Sequence, residues 1–365
     1  MAAKAPTPNV RQALESASGH YMNLIEFGIL KIFIDFKVFD NIPNDGDISI
    51  KELATKTGGE ESLLQRFSDY LVASEILASP TQGRVTHTAR SMSYRTTEVA
   101  AGFISHVYNF FLRPMATWTT YFETNGLTEP KHAHIIPLGL STGHPELDLY
   151  GVLDAEPNLA QLFNRAQQRS AGIYSIKDVY DFSWMQDVLS QSGRDRLAVI
   201  DVGGGHGLAL KGILDDNAFI PAPQCAVFDL PKTIEAAKSN MDGGLRSIQF
   251  IGGTMLEPLP QALRGAIIYQ FRRVLSDFVD KDIVLALSRV REASESDSRI
   301  LLIEELVKPG RSKFAIAQDI SVLNFGGKRR SEAMWSSLAK EAGFRINSVF
   351  EDGRSEFAVI ELVLA

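Results

Sequence analysis

The chain has 365 residues, 45% hydrophobic and 22% charged, enough for two globular domains that each bury a core, and its composition is not that of a low-complexity or disordered polymer. A formal net charge of −7 offers no general attraction to nucleic acid or to an anionic membrane, so only a local basic patch could serve either. Cys225 is the single cysteine; it sits in an apolar run, can form no intrachain disulfide, and points to a buried thiol in a reducing, cytoplasmic setting. The opening MAAKAPTPNVRQ lacks a signal-peptide core, and LIEFGILKIFIDFKVFD is broken by Glu26, Lys31, Asp35 and Lys37, which argues against a membrane span.

Apolar residues recur at helical spacing from about Ser18 to Phe39 and predict a long helix ended by NIPNDGD. Ser49 and Glu52 form a capping-box pattern before KELATKTG, a second helix is expected from near Glu60 through SLLQRFSDYLVASEIL, and SPTQGRVTHT reads as a short wing. Helix, helix and wing also outline a winged helix-turn-helix, which raises DNA binding as a rival. The second helix carries Arg66 as its only basic residue against Glu60, Glu61, Asp69 and Glu75, so residues 1–95 are read as a dimerisation domain instead. Residues 96–189 are expected to be mainly helical and substrate-side, with Phe103, Tyr108, Phe110, Phe111, Trp118 and Tyr121 chiefly as packing.

After GRDR the texture changes to LAVIDVGGGHG, and strands then alternate with helices: LAVIDV, LALKGILDD, QCAVFDL, TIEAAKSN, SIQFIGG, GAIIYQF, DIVLALSRVREA, RILLIEELV. This order predicts a doubly wound, Rossmann-like α/β domain over 190–365, with its ligand at the carboxyl ends of the strands and FRINSVFEDGRSEFAVIELVLA as an edge hairpin. The turn from Asp201 to Gly207 has the spacing D-x-G-x-G-x-G, through Gly203, Gly205 and Gly207; a dinucleotide fingerprint would need a glycine where Leu208 stands. Asp229 ends the next strand, where a carboxylate can accept hydrogen bonds from both ribose hydroxyls of a nucleoside. No phosphate-cradling G-x-x-x-x-G-K-[ST] loop and no metal-ligand spacing occur, and His206 is read as a helix-start residue.

With these segments in place, the sequence resembles the plant and fungal O-methyltransferases of the caffeate type. The winged region, DVGGGHG, FDLP, GGTMLEPLP, FRRVLSDF, IEELVKP and GGKRRSEAMWSSLAKEAGF follow in family order over nearly the whole chain. The resemblance implies S-adenosyl-L-methionine as cofactor and a homodimer whose interlocked N-terminal region helps to close the partner's substrate pocket. It places Gly203, Gly205 and Gly207 in the glycine turn, Asp229 at the ribose, Met255 along the adenine and Arg272 near the cofactor. Thr254 departs from the family aspartate that takes the adenine amino group, a loss of about 1 to 2 kcal/mol.

The family segment close to RRVLHDW supplies a histidine base that removes the acceptor's hydroxyl proton. Here RRVLSDF puts Ser276 at that position and keeps Asp277. Glu305 matches the first acid that orients the histidine, whereas the second, in GGKER, is Arg329. A retained cofactor turn beside a dismantled base resembles the methyltransferase-like pericyclases of fungal polyketide and 2-pyridone pathways, which dehydrate and cyclise without methyl transfer. The first reading is therefore such a cyclase acting on a polyketide-type small molecule, with His106 moving protons, Lys328 donating to a ring carbonyl, Arg273 and Arg329 near a developing oxyanion, and Ser276 and Asp277 completing the set. Two rivals stand beside it: an O-methyltransferase whose acceptor is deprotonated by another group or arrives ionised, and a non-catalytic regulatory protein that binds the cofactor.

Overall fold

The computed structural model describes residues 9–171, 175–191, 196–239, 241–353 and 356–365. Three features considered above lie partly outside them: the first eight residues, the GRDR boundary at 193–195, and the hairpin turn at 354–355. Contacts group the chain into two compact units, Met1–Asn109 and Phe110–Ala365.

In the first unit, helix α1 (Val10–Asp35) begins ahead of the expected Ser18, capped by the Asn9 side chain accepting the Arg11 N–H. The polar stretch QALESAS extends it because those residues are helix-compatible though not apolar. Strand β1 (Ile48–Ser49), α2 (Ile50–Thr57), α3 (Glu61–Ala73), β2 (Leu77–Ala78) and β3 (Arg84–His87) form the helix, helix and wing, with sheet order β1-β3-β2. The capping box is present: Ser49 accepts from the Glu52 N–H while Glu52 reaches back to the Ser49 N–H. Helices α4 (Ala89–Met92) and α5 (Val99–Val107) follow. The core gathers Phe33, Phe39, Leu53, Leu71 and Val85, and α5 adds Ala101. Thus α5, expected with the substrate-side region, packs into the first unit. Only the C-terminal end of α1 is buried, through Ile29, Leu30, Phe33 and Ile34; Val10, Leu14, Tyr21, Met22 and Leu24 are exposed.

The second unit opens with α6 (Arg113–Met115), α7 (Trp118–Asn125), α8 (Pro137–Thr142), α9 (Leu149–Ala155), α10 (Pro157–Ala171) and α11 (Met185–Gln191). The α/β alternation then runs β4 (Val199–Val202), α12 (Leu208–Asp216), β5 (Cys225–Asp229), α13 (Pro231–Ser239), β6 (Gln249–Gly252), β7 (Ile268–Arg272), α14 (Asp280–Ala293) and β8 (Arg299–Glu305). Helices α15 (Lys313–Val322) and α16 (Glu332–Glu341) precede the hairpin β9 (Phe344–Glu351) and β10 (Phe357–Leu364). The sheet order is β6-β5-β4-β7-β8-β10-β9, parallel through β8, with β10 antiparallel to both neighbours.

All four residues of β4 are buried. Ile200 and Val202 join one core cluster and Val199 the other, because alternate side chains leave opposite faces of a sheet covered on both sides. Ile176, Tyr180, Phe182 and Met185 pack in the same cluster as Val199 and Val227, whereas Phe110, Leu138, Val152 and Phe163 form a separate core with Val322 and Phe325. After β6 the chain returns to the other side of β4 to lay down β7. This reversal opens a crevice at the carboxyl ends of β4 and β7.

Candidate cofactor and acceptor site

A cavity of about 270 Å³ fills that crevice. Gly203, Gly205, Asp229, Thr254, Met255 and Arg272 line it, together with Arg273 and Asp277. At one end the glycine turn sets the geometry. Gly205 has φ 58°, a left-handed backbone that side chains disfavour, and a Cβ there would meet no heavy atom within 4 Å, so its face is open to the cavity. Gly207, at φ 77°, is the N-cap of α12; its added Cβ would come 3.2 Å from Val227, so this glycine lets the helix pack on the sheet and does not line the cavity.

Asp229 Oδ2 accepts the Gly205 N–H at 2.8 Å and Oδ1 accepts the Leu230 N–H at 2.7 Å. Each carboxylate oxygen keeps a second lone pair, which suits a pair of ribose hydroxyls. Burial raises the Asp229 pKa, and the two amides and Thr233 pull it back. Under the turn, burial pushes Asp201 up to about 6, against Gln270 and Arg272. Arg272 is brought down by burial to about 10, with Asp201 opposing. Thr254 Oγ accepts the Leu256 N–H at 3.3 Å, leaving a lone pair toward the cavity that Thr254 lines.

The other end is built by the short turn Leu275–Asp277 after β7. Asp277 lines the cavity, and burial pushes its carboxyl from the ordinary 3.8 to about 7, against the pull of Arg329, Arg273 and Arg330. Ser276 turns the other way. It is 1% exposed, and its Oγ donates to Glu304 Oε2 at 2.5 Å. The acid partnering this position is thus Glu304, not the expected Glu305. Both acids are buried and Arg329 reaches each of them, but it is Glu304 that meets the Ser276 hydroxyl.

Arg329 is 8% exposed; it lies 3.6 Å from Glu304 and 3.5 Å from Glu305, and its N–H donates to Asp319 at 2.8 Å. It serves as counter-ion to two buried acids and does not line the cavity. Nor does Lys328, whose ammonium is 3.0 Å from Asp280. In these two and in Ser276, all expected in the catalytic set, an ion pair or hydrogen bond engages the polar head, and none of the three lines this cavity.

What the segment does instead is hold the turn. The Lys328 N–H donates to the Ser276 carbonyl at 3.0 Å, and a Cβ at Gly327 would lie 2.0 Å from that oxygen. The fully buried Arg330 donates to the carbonyls of Phe278 at 2.8 Å and Lys328 at 2.9 Å and pairs with Asp280.

His106 ends α5 in the first unit, whereas the cavity is walled by residues of the second. Burial lowers its pKa to about 4, which favours the neutral imidazole. Several cavity residues carried no motif signal: Asp148, Phe163, Gln168 and Tyr150, whose ring lies 5.9 Å from that of Phe278. Phe278, which closes FRRVLSDF, also lines the cavity and was not singled out. His206, read as a helix-start residue, sits just before the α12 cap and also lines the cavity.

Residues 140–345 match the family model described as an O-methyltransferase domain, and 20–106 match that of an O-methyltransferase dimerisation domain. The chain belongs to the O-methyltransferase family. It is 64% identical over 366 residues to "Methyltransferase phm5" of Pyrenochaetopsis sp, covering 100% of both chains. To "Methyltransferase eqxD" of Fusarium heterosporum it is 39% identical over 347 residues, 94% of each. Among solved structures it is similar to OxaC in complex with sinefungin and meleagrin, with a TM-score of 0.86 at 20% identity over 96% of this chain and 88% of that one. The LepI complex with SAM gives 0.82 at 18% identity, over 99% and 90%. At such identities the structural likeness is one of fold.

S-adenosyl-L-methionine is the cofactor of this family's methyltransferase domain, and the residues present fit it. Asp229 offers the lone pairs a ribose needs, the open face of Gly205 admits close approach, and Thr254 and Met255, which the resemblance assigns to the adenine, line the same cavity.

Proposed function

We propose that this protein transfers the methyl group of S-adenosyl-L-methionine to an oxygen of a polyketide-type small molecule, as a homodimer, with an acceptor that needs no imidazole base. The carrying observation is a cofactor cradle that opens, within one cavity, onto Asp277 and Arg273. Identity of 64% along the full length of a relative named a methyltransferase supports methyl transfer over the cyclase reading. The dimerisation-domain match and the exposed apolar half of α1 support the homodimer.

When bound, the cofactor supplies an electrophilic methyl group on a sulfonium. Asp229 and the glycine turn would hold its nucleoside. An acceptor seated beside Asp277 would take that methyl group on its lone pair, the carbon–sulfur pair leaving to sulfur. Any proton still on the acceptor passes to the Asp277 carboxylate, whose pKa of about 7 suits a base working near neutral pH. Arg273 offers its guanidinium to negative charge on the acceptor. Lys328, Arg329 and Ser276 act one layer behind, fixing the turn that carries Asp277.

Cyclisation without methyl transfer is the second reading. It is favoured by one observation: a serine hydroxyl engaged by Glu304 at the base position, together with a cation in the cavity that could stabilise an oxyanion. Incubation with a candidate intermediate and methyl-labelled cofactor, followed by mass spectrometry, separates the two. Label in the product supports methyl transfer; an isomerised or dehydrated product without label supports the cyclase. Cofactor binding with no change in any pathway intermediate would favour a regulatory role.

A further inference from the structure

We propose that Arg273 selects the acceptor, and that what it selects is an anion, of the class of acidic enols that reach the cavity already ionised. The proposal deepens the methyl-transfer reading and rests on it.

The backbone argues first. Successive side chains of an extended strand leave opposite faces, yet the neighbours Arg272 and Arg273 both line the cavity. Arg273 achieves this with φ 52°, a left-handed conformation rare for a long side chain, while its N–H is pinned to the Ile303 carbonyl at 3.0 Å on the adjacent strand. Strain of this kind persists where the surroundings over-determine it, and it concentrates at ligand-binding positions.

Charge argues second. Asp148, Asp201, Asp229 and Asp277 all line the cavity and would repel an anion. Arg272 sits beside Asp201 near the cofactor turn, whereas Arg273 acts on Asp277 and Glu304 at the other end. The position that would hold an imidazole base is closed by the Ser276–Glu304 hydrogen bond. A neutral hydroxyl there finds only one weak base, while an enolate needs none.

The step balances without a proton. The enolate's lone pair forms the bond to the methyl carbon, the carbon–sulfur pair leaves to sulfur, and an anion plus a sulfonium become two neutral products. Arg273 then loses its partner, which favours release. Because the anion's charge falls along the reaction, the guanidinium holds the ground state more tightly than the transition state, so it lowers KM and does so at some cost in kcat.

The test is calorimetry on the full-length dimer saturated with S-adenosylhomocysteine, with two probes sharing one ring: 4-hydroxycoumarin, an acidic enol that is ionised at pH 8, and its neutral ether, 4-methoxycoumarin. The wild-type protein should bind the enolate about tenfold or more tightly than the ether, Arg273→Gln should abolish that preference while S-adenosylhomocysteine affinity stays within about twofold, and Arg273→Lys should keep part of it. Arg273→Gly, which suits the left-handed backbone, should show a higher thermal midpoint than Arg273→Gln. Equal affinity for the two probes, failure to bind the enolate at millimolar concentration, or a preference that survives Arg273→Gln overturns the proposal. If an acceptor is methylated without this charge preference, the inference fails alone; if the preference holds but no acceptor takes label, it is the methyl-transfer reading that fails.

Discussion

The two ends of the cavity keep the family pattern by different means. The cofactor end depends on backbone geometry: the left-handed Gly205 presents its N–H to Asp229, and an added side chain would be strained whatever its chemistry. The acceptor end depends on side-chain charge, which can be exchanged provided the sum stays tolerable. Ser276 and Arg329 stand where the resemblance places a histidine and a glutamate, and Arg329 neutralises Glu304 and Glu305 in one buried network. Geometry admits almost no substitution. Charge admits a compensated set of them, which is how an acceptor site can be rewired above an unaltered cofactor turn.

The strongest way to break that comparison is to remove the acceptor end's charge while leaving the cofactor end alone. Asp277→Asn should lower methyl transfer to a hydroxyl acceptor by about 10² to 10⁴-fold and leave transfer to an enolate, which needs no base, undiminished, with cofactor affinity nearly unchanged in both cases, measured by turnover of labelled cofactor and by calorimetry. If Asp277 is the base, wild-type kcat/KM should rise with pH and level off above about 7. The linkage sign is opposite for the fold. A carboxyl whose folded pKa is raised binds its proton more tightly when folded, so stability falls as pH climbs from about 4 to about 7, by ~1.4 kcal/mol for each pH unit of that window. Asp277→Asn should therefore match the wild type at pH 4 and exceed it in urea midpoint at pH 8, while being the poorer enzyme toward hydroxyl acceptors alone. A wild-type rate independent of pH would remove the base role.

Next in size is the counter-ion. Arg329→Met leaves Glu304 and Glu305 buried without their cation and should cost about 3 to 5 kcal/mol, read from chemical denaturation. Below that transition the cofactor should still bind within a few-fold. A loss under 1 kcal/mol would mean that water reaches the two acids and that the network is not closed.

What was legible in the sequence follows the same division. The parallel strands, their intervening helices and the site at the β4–β7 reversal all came from apolar runs and the glycine turn, because period and backbone demand are local properties. Asp229 was readable for the same reason, as the residue ending its strand. At the acceptor end the loss of the histidine was plain, but the ion pairs that engage Lys328 and Arg329 were not, since whether a cation faces a cavity or an anion depends on contacts far off in the chain. Asp280, which pairs with Lys328, and Glu304 are such partners. Tyr150 was missed because an aromatic on a helix looks the same in the core and on a cavity wall. The dimerisation region was readable down to its capping box, yet α5 was assigned to the wrong side of the boundary, since aromatic helices carry no mark of the unit they pack into.

A third prediction tests the cofactor end directly. Asp229→Ala should weaken S-adenosyl-L-methionine binding at least about tenfold, ~1.4 kcal/mol, by calorimetry. It removes both the ribose acceptor and the anchor of the Gly205 N–H. Unchanged affinity would detach the cofactor from this turn altogether.

The smallest expected effect concerns the one place where the cofactor end departs from the family. Thr254 offers a hydroxyl where the resemblance expects a carboxylate, and its Oγ is already engaged by the Leu256 N–H at 3.3 Å. An aspartate can keep that local bond, since Asp side chains commonly accept from the backbone two residues on. Its second oxygen would then be available to the adenine amino group. Charge assistance strengthens the hydrogen bond, whereas burying another carboxylate in a cavity already lined by Asp201 and Asp229 opposes it. The two contributions nearly offset, so Thr254→Asp should tighten S-adenosyl-L-methionine by only about three- to tenfold, at most ~1.4 kcal/mol. The gain should shrink as pH falls and the new carboxylate takes up its proton. Weaker binding at pH 8 would show that repulsion from the neighbouring acids outweighs the adenine contact, and that threonine is the better residue for this cavity.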